Sequence, residues 1–222
     1  RSTLFPYTTL FRSRTGSGGA AGGEETRTLE PVARIIRWGL ESRHRAELMP
    51  ERIPFSSDRY SLHQRSADGA VILLRQTTRA DAETLGRQVA DIDPWARLGS
   101  RREDLIAFLS LTNDTKRCFT ILSDGDRAGA IVVRHPWLIG PYLNMLAILP
   151  EHQRGGVGRA VMGWLEREAR AGGGCRNCFL SVSAFNIAAI AFYRKCGYNP
   201  TAFLDNLIKD GEDEILMRKL LE

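Results

Sequence analysis

The chain has 222 residues, 43% of them hydrophobic and 26% charged, with a formal net charge of +5 at pH 7. That balance is of a globular protein with a core of its own and excludes a disordered or fibrous chain; no run approaches the 18 apolar residues of a membrane-spanning helix. Residues 1–68 carry 11 Lys+Arg against 8 Asp+Glu and the remainder 20 against 18, so no basic stripe points to nucleic acid.

"TLFPYTTLFRS" (3–13) lacks the apolar core and small-residue cleavage site of a targeting signal. It resembles the translation of a short-read sequencing adapter, a scar outside the fold. "RTGSGGAAGGEET" follows as a Gly-rich linker, and Val32, Ile35, Ile36 and Leu40 give a weak helical pattern. Residues 50–68 revert to Pro, Ser, Arg and Asp. Residues 1–68 are therefore expected to lie outside the domain, with 69–222 forming it and Met49 or Val71 as candidate starts.

From residue 70 the pattern sharpens. "AVILLRQT" predicts a strand and Thr78 an N-cap, opening a helix with Ala82, Leu85, Val89 and Ile92 on one face. "DPWARLGS" interrupts, and Ser100 with Glu103 predicts a capping box for the helix "RREDLIAFLSL". "RCFTILS" and "GAIVVRH" are strands joined by "DGDR", where Asp-Gly signals a hairpin. "YLNMLAIL" (142–149), apolar nearly throughout, is a fourth strand buried on both faces. A glycine-rich loop leads into a helix over 157–170, with Val157, Val161, Trp164 and Leu165 inward. "CFLSVS" is a fifth strand, "NIAAIAFYRKCG" a helix capped by Asn186 and Gly197, and "YNPTAFLD" and "EILMRKL" a final pair. The order βααβββαβαββ is a mixed α/β sheet with a parallel pair across the glycine-loop helix.

Four cysteines include "CRNC" (175–178), but no second Cys pair or paired histidines complete a metal set, so no metal site is expected. Small apolar thiols along a strand in a reducing cytoplasm are the plainer reading.

"QRGGVGRA" (153–160) carries the chemistry. A strand, a glycine-rich turn and a helix N-terminus form an anion site, because free amide hydrogens and the helix dipole converge where glycines let a phosphate approach. Arg159-Ala160 after Gly158 excludes a Walker A loop, which needs Lys-Ser/Thr there. "GVGRAVMG" lacks the spacing and early position of a dinucleotide fingerprint. What remains is Gln-x-x-Gly-x-Gly, met by Gln153, Gly156 and Gly158.

On that pattern the chain resembles the GNAT superfamily of N-acetyltransferases. A second segment, "NIAAIAFYRKCGY", matches at Asn186, Ala189, Tyr193, Gly197 and Tyr198, so the resemblance spans residues 70–222. It implies a mostly antiparallel sheet flanked by helices, whose fourth and fifth strands run parallel and splay apart. It further implies acetyl-coenzyme A as co-substrate. Gln153, Arg154, Gly155, Gly156, Val157, Gly158 and Arg159 would hold its pyrophosphate, the strand edge at Leu146 and Ile148 its pantetheine arm, and Asn186 and Tyr193 would contact it.

By the same resemblance, a strand amide near Leu146 or Ile148 stabilises the oxyanion and Tyr193 protonates the departing thiolate. Each has a structural alternative: Tyr193 as a core aromatic, Asn186 as a helix cap. The sequence departs from the pattern at the base. Where similar ribosomal-protein N-terminal alanine acetyltransferases carry a glutamate, Ser181 stands, and Asn144 replaces a carboxylate other relatives place on the fourth strand. Water held by Asn144, Ser181 or Tyr142 would then relay the proton, and His135 is a second candidate or a loop histidine before Pro136. Trp95 lines the acceptor cleft or only packs; the acidic run Asp205, Asp210, Glu212, Asp213, Glu214 steers cationic amines or is a solvated turn. The expected function is direct acetyl transfer to a primary amine of a small molecule. A protein or peptide N-terminus and a non-catalytic acyl-coenzyme A-binding module are the alternatives. A homodimer is compatible with any of them; no nucleic acid or membrane partner is expected.

Overall fold

The computed structural model describes residues 53–62, 66, 69–171 and 175–221. The adapter-like stretch, the Gly-rich linker and the weak helix over 29–49 lie outside these residues. The chain divides after Leu48, and the unit from Met49 onward is a mixed α/β fold with one eight-stranded sheet.

Its strands are β1 Arg59–Ser61, β2 Ile72–Gln76, β3 Lys116–Ser123, β4 Asp126–Trp137, β5 Gly140–Ile148, β6 Asn177–Ser183, β7 Asn199–Lys209 and β8 Glu212–Leu220, in the order β1-β2-β3-β4-β5-β6-β8-β7. Every neighbouring pair is antiparallel except β5 and β6, the fourth and fifth strands of the sequence reading. The helices are α1 Arg79–Ala90, the short α2 Trp95–Leu98, α3 Arg102–Ser110, α4 Val157–Ala171 and α5 Ile187–Lys195. Among the described residues no helix is long and apolar enough to cross a membrane.

Two apolar clusters are built on the sheet. One gathers α4, with Val161, Trp164 and Leu165, against Ile72, Phe119, Leu143, Leu180 and Met217. The other gathers Leu85 and Val89 of α1 and Leu105 and Leu109 of α3 against Val132, Met145 and Ala147.

The domain boundary differs from the expected one. Phe55, Tyr60 and Leu62 are buried, and β1 adds to the sheet beside β2. Phe55 and Tyr60 meet Trp164 edge-on at 5.5 and 5.1 Å between ring centroids, and Tyr60 meets Phe119 at 5.6 Å. Residues 53–62 thus belong to the fold. Their apolar residues are few, and Phe55, Tyr60 and Leu62 are used while Ile53 stays exposed, a long-range packing effect that a Pro/Ser/Arg/Asp-rich composition hides.

Thr78 caps α1 as its sequence predicts, in a full capping box with Asp81: Asp81 N–H donates to Thr78 Oγ1 (3.1 Å) and Thr78 N–H to Asp81 Oδ2 (3.2 Å). The α3 capping box does not form. The N-cap is Arg101, without a side-chain cap bond, and Glu103 instead faces Arg101 Nε at 3.7 Å. Asp124 (φ 48°) and Gly125 (φ 96°) make the β3–β4 turn left-handed at both central positions, as an Asp-Gly hairpin requires. The last hairpin is longer than expected and turns at Asp210-Gly211.

Candidate active site

The parallel pair β5–β6 is joined only at Tyr142↔Phe179 and Leu143↔Leu180, although β5 runs on to Ile148 and β6 to Ser183. The break coincides with a bulge: Val132 pairs with Met145 and Val133 with Leu143, leaving Asn144 as the extra residue. Beyond it the strands diverge. The Leu149 N–H donates to Ala128 O (2.9 Å), so Ala147 and Leu149 bond to β4 while the N–H and C=O groups of Leu146 and Ile148 face the gap. These are the two residues whose edge the sequence reading singled out.

The glycine loop closes over the end of this gap. A 3-10 turn at Pro150–His152 leads out of β5, and Gln153 Nε2 donates back to Ile148 O at 2.8 Å, tying the loop to the strand. Arg154 (φ 63°) and Gly156 (φ 85°) are both left-handed, a curl that turns backbone N–H groups to one side. The first intrahelical bond described for α4 runs from Ala160 N–H to Gly156 O (3.0 Å), so the N–H groups of Val157, Gly158 and Arg159 precede the ladder and are free to bind an anion. Gly158 serves packing as well: a Cβ there would lie 3.3 Å from the Phe192 ring of α5. Gly155 has open space around its would-be Cβ. The exposed Arg154 and Arg159 flank the curl. A strand edge, a run of free amides and two arginines fit a phosphate-bearing ligand with an extended, amide-containing arm.

Asn186 caps α5, its side chain accepting from Ala189 N–H at 3.0 Å, so the cap reading is realised. Tyr193 is 8% exposed, its ring packed against Phe192 (5.2 Å) and Tyr198 (6.2 Å). Burial raises its phenol above the ordinary tyrosine value, with the neighbouring Cys196 and Tyr142 adding in the same direction. The hydroxyl is therefore protonated at neutral pH and within electrostatic reach of Tyr142, where the strands part.

A polar cluster occupies the other face of the sheet at the same place. Leu180, Val182, Ile215 and Met217 face the α4 cluster, which sends the alternating Ser181, Ser183 and Glu214 to the opposite side. Tyr142 and Ser181 share a hydroxyl–hydroxyl bond of 2.7 Å. Ser183 Oγ donates to Glu214 Oε1 at 2.5 Å, and Ser181, two residues before Ser183 on the same face, lies beside that carboxyl. Burial raises the Glu214 carboxyl above the ordinary glutamate value, and the nearby Ser183 and Ser181 hydroxyls oppose this. Glu214 was read in the sequence only as one of an acidic run; at 2% exposure it is not part of a solvated turn.

Two other acids of that run have partners of their own. Glu212 pairs with Arg97 of α2 (3.2 Å), and Asp213 Oδ1 accepts from Asn206 N–H. Arg97 also lies over the Phe185 ring at 3.9 Å and its carbonyl accepts from Lys209 Nζ, so α2 is strapped to the β7–β8 hairpin. Trp95 packs against the α1–α3 cluster. Asn144 Oδ1 accepts from Arg134 Nε (2.7 Å). His135 lies elsewhere, its ring beside Phe55 (5.7 Å) and its Nε2 3.4 Å from Cys175 Sγ, and burial lowers its pKa. All four cysteines are free thiols, and among the described residues no cluster of metal-ligating side chains occurs.

The sequence profile of the Acetyltransferase (GNAT) family matches residues 81–198, from the capping acid of α1 through both glycine-loop and tyrosine segments. Among curated proteins no match was found. Solved structures share the fold. The ribosomal-protein-S18-alanine N-acetyltransferase of Escherichia coli is 22% identical, covering 68% of this chain and 94% of its own, with a TM-score of 0.51. Mycobacterium smegmatis RimJ, solved with CoA-disulfide, is 16% identical over 76% of this chain and 90% of its own (TM-score 0.59). The spermidine N-acetyltransferase of Vibrio cholerae is 17% identical over 68% and 94% (TM-score 0.52). With a profile covering more than half its length, the chain belongs to the acetyltransferase (GNAT) family, whose co-substrate is acetyl-coenzyme A.

Proposed function

We propose that the protein transfers the acetyl group of acetyl-coenzyme A directly to a primary amine of a small molecule. The splayed β5–β6 gap ending at a curl of free amides carries this reading. The N–H groups of residues 154–159 with Arg154 and Arg159 take the pyrophosphate, Gln153 holds the loop against β5, and the Leu146 and Ile148 edge pairs with the pantetheine amides. Asn186 fixes the first turn of α5, which carries Tyr193 toward the gap.

The family's reaction needs a neutral amine, a stabilised oxyanion and a proton for the leaving thiolate. A gap-facing N–H of β5 supplies the oxyanion donor. Tyr193 supplies the proton: its phenol stays protonated at neutral pH, so it holds a proton to give to the departing thiolate. The strap formed by Arg97, Glu212, Phe185 and Lys209 narrows the approach on the Glu214 face and favours a small amine. Phe203, Leu207 and Ile208, exposed on β7, are the feature that favours a peptide acceptor instead.

Thiol release from acetyl-coenzyme A separates the two. Release with spermidine and other small polyamines, but not with short peptides bearing a free N-terminal alanine, is the expected result. Release with peptides alone assigns the β7 face to acceptor recognition, and no release with either, despite bound acetyl-coenzyme A, makes the chain a binding module.

A further inference from the structure

Neither β5 nor β6 carries a carboxylate, yet an acceptor ammonium must lose a proton before it can attack. The polar cluster on the sheet face opposite α4 contains one carboxylate, and it comes from neither strand. Glu214, opposite Ser183 in the β6–β8 ladder, has no Arg or Lys ion partner among the described residues. It accepts from the Ser183 hydroxyl, and Ser181, its diagonal neighbour on the same sheet face, is bonded in turn to Tyr142. Tyr142 is half-buried at the last paired residues before the strands part, its ring set against Trp137 at 4.7 Å. A buried carboxylate without a counter-cation is costly to keep, and such groups concentrate at functional sites.

We propose that Glu214 is the proton-accepting terminus of a hydroxyl chain, Tyr142–Ser181–Glu214, that deprotonates the acceptor amine at the mouth of the β5–β6 gap. The inference rests on the acetyltransferase reading above. Tyr142 takes a proton from the ammonium nitrogen as it passes its own to Ser181, and Ser181 passes its own to Glu214. The neutral amine then forms the C–N bond while the C–S bond breaks. The second nitrogen proton balances the one Tyr193 gives to the thiolate, and Glu214 returns its proton to solvent through the same hydroxyls. Glu214 touches no reacting atom; it acts through the two hydroxyls. The charged and titratable groups around the chain are Arg134, bonded to Asn144 across β4–β5, Tyr193 on α5, and the Arg97–Glu212 pair beside Glu214 on β8.

The test is the pH profile of kcat and KM for the full chain with spermidine and with an alanine-initiated peptide, for the wild type, Glu214→Gln, Tyr142→Phe and Ser181→Ala. Expected for Glu214→Gln is a fall in kcat of about 100-fold near pH 7, with unchanged acetyl-coenzyme A affinity. Its rate should climb steadily toward the amine's own pKa, where the relay is no longer needed. Tyr142→Phe should show the same profile, and the two changes together should cost no more than one. A Glu214→Gln protein with kcat within twofold of wild type and an unaltered profile overturns the relay. If Glu214→Gln does not fold, Tyr142→Phe and Ser181→Ala decide, and wild-type profiles for both overturn it. A wild type that releases no thiol with any probe overturns the acetyltransferase reading instead, and the relay with it.

Discussion

At the scale of single residues, the glycine loop separates into positions with different physical duties. Gly156 adopts a φ of 85°, which a side chain rarely tolerates, and Gly158 lets α4 approach the Phe192 ring, so substitution at either mixes backbone or packing strain with any loss of ligand. Gly155 is open on its Cβ side. Gly155→Glu should therefore leave the thermal midpoint nearly unchanged while lowering acetyl-coenzyme A affinity at least 100-fold through charge repulsion, as calorimetric titration reads it; Gly155→Ala should bind like the wild type. Tyr193 is a cleaner probe, since Phe keeps the ring contacts with Phe192 and Tyr198 and removes only the hydroxyl. Tyr193→Phe should lower kcat about 100-fold, with acetyl-coenzyme A affinity held within a few-fold. Equal turnover would make Tyr193 a core aromatic. The glycine loop and Tyr193 were legible in the sequence because both signals are local. Glu214 was not, because "GEDE" reads as a solvated run and only the β6–β8 register turns its third acid inward against two serines.

At the scale of elements, α1 depends on one buried acid. Asp81 closes the capping box and pairs with Arg75 at 2.9 Å and Arg127 at 2.8 Å. Burial alone would raise its pKa, but the hydrogen bonds from Arg127 and Thr78 and the charge of Arg75 outweigh it and hold the carboxyl below the ordinary aspartate value. A carboxyl with a lowered folded pKa adds stability above its unfolded value and loses it as pH falls through the folded one. Asp81→Asn should accordingly cost about 2 kcal/mol at pH 7, discounted for the partly exposed arginines, and flatten the acid side of the stability–pH curve. An unchanged acid limb in urea titrations between pH 3 and 7 would show that another group sets it. Thr78 as the cap of α1 was readable from position alone. The α3 cap was not: Ser100 and Glu103 have the right spacing, but the helix begins one residue later, at Arg102, and the spacing no longer meets the N-cap. The bulge at Asn144, which parts β5 from β6, likewise has no mark in the apolar run "YLNMLAIL".

At the scale of the whole molecule, the succession of strands from β2 onward and the parallel pair follow from patterns visible along the chain, whereas the insertion of β8 between β6 and β7 and the N-terminal limit of the fold do not. Phe55, Tyr60 and Leu62 fill one side of the α4 cluster and β1 covers the edge of β2. A chain starting at Gly69 should be less stable than one starting at Ile53 by about 5 kcal/mol from lost burial, a fall in Tm on the order of 10 °C. Matching melting curves would put residues 53–62 outside the cooperative unit. Every proposed role depends on the cofactor occupying the β5–β6 gap under the α4 N-terminus, and amide hydrogen exchange with and without acetyl-coenzyme A measures that directly. Slowed exchange at residues 144–148 and 154–159, with β1–β3 unchanged, is the predicted result. Protection elsewhere, or none at saturating acetyl-coenzyme A, would contradict it.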